Sequence, residues 1–437
     1  MTLSTFTPEA AAALDGPAWL SRRRTDAFEA FAGATLPSES EEVWRYSPID
    51  RLDLDAFAPA GEPDPTGLDQ AVEHWRGALA ARSALVVVHQ GRVLFIDGDA
   101  LPAGAALGTS DSVAAAPDLV GSVLDGGDAL VQLHDAFTPG AVVLDVAPGT
   151  VLAEPVVIVH WSGTPVVGGV APASFPTTVV RVGDGAEASV VEVLAGPGGP
   201  GSGLVVPVSE LVVGDGARLS YVALQVLADG VWHLGRQAAR IGRDATLRSF
   251  TVGLGGAYDR TRTDATVVGQ GGTSELRSVY LGLGDQVHDV RTLQDHAAPR
   301  THSDLLCKGA VADASRSVYS GLIRIRNGAV RSEAMQTNNN LVLDETAHAD
   351  SVPNLDIEEN DVRCSHASTV GPVDEDQRYY LESRGIPPER AEQLIVRGFF
   401  EDIIERAPVP AALAPLRAEI GRRLEAAVGA GPEVDHG

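Results

Sequence analysis

Lysine is almost absent from this chain: Lys308 is the only one in 437 residues. A nucleotide-binding P-loop needs Gly-x-x-x-x-Gly-Lys-Ser/Thr, and Lys308 sits in LLCKGAV, which does not fit, so ATP hydrolysis by that route is excluded. Cysteine is nearly as scarce. Cys307 and Cys364 are too few for a disulfide framework, fit a reducing compartment, and cannot alone supply the four thiolates that commonly hold an iron–sulfur cluster. Positive charge is also short, and the formal net charge of −26 argues against nucleic acid as a partner. No apolar run approaches the ~20 residues of a membrane span. The opening MTLSTFTPEAAAALDG has no basic stretch followed by an apolar one, so no signal peptide is expected, and a cytoplasmic location is. Aromatics make up 5%, too few for a core of large rings between two sheets.

What the chain does have is turn-punctuated β texture. From Ser83 to about Ile357, short Val/Ile/Leu/Thr runs alternate with Gly, Asp and Pro, as in ALVVVHQGRVLFIDG. A strand ending in a Gly/Asp turn returns at Gly183, Gly214, Gly242 and Gly269, spaced 31, 28 and 27 residues apart. A period of that length predicts a solenoid, in which each coil covers its neighbour's open apolar face. LAGPGGPGSG, from Leu194, reads as an exposed loop between coils. A helix is predicted from about Pro8 to Ala32, a linker in APAGEPDPTG from Ala58, and a second helix from Leu68 to about Arg82. After Thr369 the pattern turns helical: VDEDQRYYLESRG ends at Gly385, Pro387 and Pro388 start another helix, and a last one runs from about Ala411 to Val428 before the tail GAGPEVDHG. The fold class is therefore mainly β: a parallel β-helix core at 83–370, with helical regions at 1–82 and 371–437. In the helix after Pro388, Ala391, Leu394, Ile395, Phe399 and Ile403 form an apolar stripe that Val396, Phe400 and Ile404 widen. Such a face is either buried in its own domain or meets a partner.

Several groups could carry chemistry. In DVRCSHAS, Cys364 and His366 would share one strand face, with Ser365 on the other. That pair suits a soft metal, a thiol–imidazole nucleophile, or simple core packing, and by spacing alone packing is the stronger reading. In NLDIEENDV, Asp356 and Glu358 would share one face and Glu359 and Asp361 the other, and a solvated turn is favoured over paired catalytic acids. Asn338 to Asn340 suggest an amide ladder at a turn. His288, His296 and His302 fit no standard zinc spacing and are expected on separate strands and turns. Cys307 is read either as a buried strand residue or as a distant partner of Cys364.

The run from Gly321 to Ile386, with N-L-x-L, P-x-L-x-I, C-S-H and Y-Y-L-x-S-R-G-I in order, resembles the SufB/SufD family of iron–sulfur cluster assembly proteins. EVWRYSPIDRLDL around Trp44 and HAAPRTHSDLLCKGAV around His296 extend the resemblance over most of the chain. It implies a right-handed parallel β-helix between helical ends, and a non-enzymatic scaffold subunit. It also implies pairing with a SufB paralogue and docking of the ATPase SufC on the C-terminal helices, which makes Leu394, Ile395, Phe399, Phe400 and Ile403 candidate contacts. The place where SufB-type chains carry a cysteine is about Ala347 here, and C-S-H is similar to SufD, so the chain is read as a SufD-like member. His366, supported by Cys364, then becomes the expected contributor to a cluster-building site at the SufB interface. On this reading iron or a transient iron–sulfur cluster is handled there, and no cofactor stays tightly bound to the lone chain. Alternatives are a homodimer when alone, a SufB-like homodimeric scaffold, or a β-helix lyase or hydrolase acting on polysaccharides.

Overall fold

A computed structural model of the chain describes residues 3–61, 68–124, 127–162, 169–197 and 201–429. The chain winds as a β-solenoid of about seven turns, each giving one strand to a twelve-stranded sheet and one to a ten-stranded sheet. Within the coils neighbouring strands are parallel, and the register stacks equivalent residues. One inward row runs Val146, Val182, Val213, Ile241, Val267, His296, Ile325, Ile357. The Gly-Asp turns stack as the sequence period demands. Gly185 N donates to Asp215 O (2.8 Å) and Gly216 N to Arg243 O (2.7 Å), while Asp184 accepts from the Asp215 N–H of the next coil (2.9 Å). Gly185 and Gly216 have φ of +65° and +66°, a conformation a side chain disfavours.

The interior changes character along the axis. Early coils enclose Val86, Val142, Leu144, Ile158 and Val180, an aliphatic core interrupted by one buried cluster in which Glu192 accepts from Thr178, Ser209 and Tyr221 and is hydrogen-bonded to His160. Later coils enclose His296, Ser303, Gln336, Asn338 and Asn340. Buried polar groups mostly pair with one another. His296 does so through Thr301 Oγ1 (2.6 Å) and Ser303 Oγ (2.8 Å).

The two ends of the solenoid also differ. At the start, Ala84–His89 pairs antiparallel with Arg92–Asp97, and Ala105–Thr109 pairs antiparallel with Ala141–Val146. Val93, Ile96, Leu101 and Leu107 from these returning segments pack over the core and close it. At the finish, His348–Ile357 and Arg363–Gly371 are the last strands of their sheets and no returning segment covers them; among the described residues the outermost strands at both ends have unpaired outer edges.

Helices cover the flanks. Phe6, Phe31, Trp44, Ile49 and Leu54 pack with Leu133, Phe137, Phe175 and Tyr258, so the N-terminal region and the solenoid share one apolar cluster. Leu68, Trp75, Leu79, Val396, Phe400, Ile403, Leu416 and Ile420 cover the outer face of the ten-stranded sheet. Burying a side chain such as Phe400 contributes about 1.5–3 kcal/mol.

Several expectations change. The first predicted helix is two, Pro8–Ala12 and Ala18–Gly33, because Pro17 forces Gly16 out of helical backbone. The next helix stops at Ala78, and Arg82 caps its end by donating to the carbonyls of Arg76 and Leu79 (both 3.0 Å). The supposedly continuous strand region is interrupted by a helix at Ala129–Phe137, whose N–H groups at Leu130 and Val131 are capped by Asp128. Leu194 and Ala195 still belong to a strand, and Ser202 starts the next. Residues 198–200 of that loop, 62–67 of the linker and 430–437 of the tail lie outside the described residues.

Candidate functional site

The candidate residues gather at the open end. Register pairs Cys364 with Ala334 and His366 with Gln336, both buried, whereas Ser365 pairs with the outward Met335. Cys364 and His366 therefore share the inward face of the last strand, one coil beyond anything that covers them. His366 is exposed and Cys364 is half-buried against Ile323, Ile325, Ala329 and Ala334. Burial pushes the Cys364 thiol up, so at neutral pH it stays protonated until a metal or base takes the proton.

Beneath them lies a polar floor. Ser368 Oγ donates to Ser351 Oγ (2.7 Å), Ser351 Oγ to Asn338 Oδ1 (2.8 Å), and Asn340 Nδ2 to the same oxygen (2.8 Å). Tyr280 OH donates to Asn340 Oδ1 from deeper in. Gln336, directly under His366, is 1% exposed, and neither end of its amide is hydrogen-bonded. Around this floor the inward residues Leu355, Ile357 and Val370 stand 41%, 43% and 46% exposed. A mixed polar and apolar surface flanked by two unpaired sheet edges is suited to being covered by another protein.

The other candidates resolve differently. The asparagine run is not at a turn: it lies in the strand Glu333–Val342, with Asn338 and Asn340 inside and Asn339 accepting from Thr369 Oγ1 (2.8 Å). Alternation alone, from Ala334 onward, was a signal for that placement. His288 and His296 share one strand rather than separate ones, and His302 begins the next. His288 and His233 hold Asp259 between them through their Nδ1 atoms (3.0 and 2.6 Å). Although burial opposes ionisation, those two hydrogen bonds hold the Asp259 carboxyl well below the usual range. Cys307 is fully buried, its thiol pushed up to about 12 by burial, and it is an inert core residue. Both cysteines are free thiols. Asp356 pairs with Arg324 (3.0 Å), and Glu358 and Glu359 accept the backbone N–H groups of Asn327 and Gly328. These acids finish a turn and are not a free catalytic pair. Among the described residues, no three His, Cys, Asp or Glu side chains converge as a metal site needs.

On the helix Pro388–Ile404 the five candidate contacts divide. Phe400 and Ile403 are wholly buried in the chain's own core and offer no surface to a partner, which corrects their assignment. Leu394 is exposed, while Ile395 and Phe399 are half-buried. Tyr379 and Tyr380, on the preceding helix Glu375–Glu382 that packs against this one, are also exposed.

Comparison with known proteins decides the family. Residues 166–399 match the sequence profile of the SUF system FeS cluster assembly SufBD core domain. The chain is 30% identical over 400 residues to the iron-sulfur cluster assembly protein SufD of Escherichia coli, covering 89% of each chain. It is 31% identical over 300 residues to SufD of Bacillus subtilis, covering 68% of this chain and 67% of that one.

The chain belongs to the SufB/SufD family.

Within that family it is SufD-like. A 43% identity over 224 residues joins it to the SufBD family protein Rv1462 of Mycobacterium tuberculosis, an alignment spanning 56% of that relative's length. In this SufD-like chain Ala347 is a small buried residue at the turn before the strand His348–Ile357, with its N–H on Asp344 O (3.2 Å). No helix among the described residues is long and apolar enough to cross a membrane.

Proposed function

We propose that this chain is a non-catalytic, SufD-like scaffold subunit whose open solenoid end pairs with a SufB-type paralogue and presents His366 at the junction. The observation that carries this reading is the last coil itself. Cys364 and His366 face inward, the surrounding Leu355, Ile357 and Val370 are uncovered, and among the described residues both sheet edges are free. An imidazole is a competent iron ligand, and a partner chain would supply the sulfur that two buried or half-buried cysteines here do not. Iron or a nascent cluster is then the cargo of the shared site, not a resident group of this chain. Cys364 supports the histidine by packing behind it. The exposed Tyr379, Tyr380 and Leu394 and the half-buried Ile395, on two helices in contact, would receive the SufC-type ATPase, whose movements would open or close the junction. A cytoplasmic setting follows from that role.

The test is co-expression with SufB-type and SufC-type partners, followed by anaerobic cluster assembly. His366→Ala should leave the three-chain complex intact while lowering its bound iron and its cluster absorbance several-fold. Normal assembly by the variant complex, or failure of the chains to co-purify, would sink the proposal.

A further inference from the structure

We propose that the outer face of the twelve-stranded sheet carries a binding cleft for a small, multiply charged anion bearing phosphate or carboxylate groups. In a chain with a net charge of −26, this is a place where positive charge concentrates. Arg236, Arg262 and Arg291 are direct register partners on three successive strands, so their guanidiniums rise from one row. Arg260 and Arg324 flank the row, and Arg260, Arg262, Arg291 and Arg324 line a cleft of about 250 Å³ between the N-terminal arm at Val43 and the strand Arg316–Ile325. Leu293 and Leu322 give it an apolar floor.

The hydrogen-bond inventory separates structural arginines from available ones. Arg260 donates to Asp289 (2.5 Å) and to Val43 O (2.8 Å), and Arg291 donates to Asp289 (2.5 Å) and Arg45 O (2.7 Å). Those two pin the arm, with Arg260 also lying 3.7 Å over the Trp44 ring. Arg262 and Arg324 differ. Each commits its Nε alone, to Asp264 and Asp356 respectively (3.0 Å each), and its two terminal NH₂ groups have no protein partner among the described residues. Asp264 is meanwhile also engaged by Arg236 (2.6 Å), whose own Nε is buried without a partner. The four guanidiniums that line the cleft face three carboxylates, Asp264, Asp289 and Asp356, leaving one positive charge in surplus in a partly desolvated cleft. Paired forks of this kind match phosphate and carboxylate oxygens two at a time. The acidic remainder of the surface repels anions, so affinity at this cleft must come from these contacts and not from the overall field.

Calorimetric titration of the purified full-length chain with inorganic pyrophosphate and, separately, citrate tests this. One saturable site per chain is expected for at least one probe, and the tighter probe identifies the preferred group. Arg262→Gln and Arg324→Gln together should weaken it about tenfold or more, whereas Arg218→Gln, on a distant exposed ion pair, should not. No saturable binding of either probe up to about 10 mM, or undiminished binding by the double variant, overturns the proposal. A measurement on the unmodified chain guards against misfolding of the variants. Bound probe should protect Arg262 and Arg324, but not Arg218, from arginine-directed phenylglyoxal modification read by mass spectrometry, and equal modification with and without probe also overturns it.

Discussion

At its first coil the solenoid folds Arg92–Asp97 and Ala105–Thr109 back antiparallel, and Val93, Ile96 and Leu107 from those strands plug the aliphatic interior. At its last coil the same strand–turn–strand unit simply stops, with Leu355, Ile357 and Val370 uncovered above a floor of Asn338, Asn340 and Gln336. Both ends face the same physical problem, since an unpaired edge and an open apolar face invite association. The apolar face is covered within the chain at one end and left for a partner at the other, while the outermost strands of both ends lack an edge partner among the described residues. The interior follows this in part: the earlier coils bury one polar cluster around Glu192 in an otherwise aliphatic core, whereas Asn338, Asn340 and Gln336 make the floor under the last coil polar. An aliphatic core tolerates no solvent, whereas hydrogen-bonded amides, hydroxyls and imidazoles suit a surface that is covered only in the assembly.

The sharpest way to break this comparison is truncation of one inward side chain near each end. Leu144→Ala, beneath the sealed end and with no exposure, should cost about 2–5 kcal/mol in urea unfolding of the lone chain. Ile357→Ala, at the open end, should cost less than about 1 kcal/mol, because its side chain already meets solvent. Equal costs would mean that the open end is as well packed as the sealed one.

Acid should act next most strongly. Burial lowers His134, under the N-terminal helices, and His296, in the polar interior, each to about 4. An unfolded histidine titrates near 6.5, so between those values the unfolded chain binds more protons than the folded one. Their stabilising contribution is thus complete above about pH 6.5 and is lost as pH falls toward 4, by up to about 3 kcal/mol for each. Urea midpoints from pH 7 to pH 4 check it. His296→Gln, which removes the titration, should flatten the curve, and an unchanged slope would refute the assignment.

A smaller effect is expected where the C-terminal helices meet the solenoid. Lys308, the only lysine, donates to Phe399 O (2.9 Å) and Asp402 Oδ2 (2.7 Å), with its ammonium 4.6 Å from the Phe399 ring centroid. Lys308→Met keeps the apolar stem and removes the charge-assisted bonds, at a cost of about 1.5–3 kcal/mol that falls mostly on local docking. Amide hydrogen exchange should quicken in 388–404 more than in the strands, and uniform quickening would contradict a local role.

Much of this architecture was legible beforehand, for identifiable reasons. The Gly183, Gly214, Gly242 and Gly269 turns repeat because each coil must turn at the same place, and alternation alone put Cys364 and His366 on one face. What escaped detection was set by tertiary context. Ala129–Phe137 is amphipathic, with Gln132 and Asp135 on one face, but at nine residues within valine-rich surroundings its period spans too few turns to stand out. Phe400 and Ile403 lie on a face wide enough for either a core or a partner, and only the ten-stranded sheet beneath decides. Nor does a periodic pattern say which coil is last, so the openness around His366 could not be read from Cys-x-His spacing.

The smallest stability change belongs to the open end, and there it should accompany a large change in association. Leu355 faces inward on the last strand of its sheet, paired through register with the fully buried Ile323 of the coil before. If a partner covers this coil, Leu355 is a core residue of the assembly and a surface residue of the lone chain. Leu355→Glu should then shift the lone chain's unfolding free energy by no more than about 0.5–1 kcal/mol, as exposed substitutions commonly do. Burying the introduced carboxylate under a partner without a counter-charge costs far more, so association with a SufB-type chain should weaken at least about tenfold. Sedimentation of the mixed chains against thermal melts of the lone variant separates the two readouts. Retained association with an unchanged melt would mean that this end stays open, and the contrast between the two ends would need another cause.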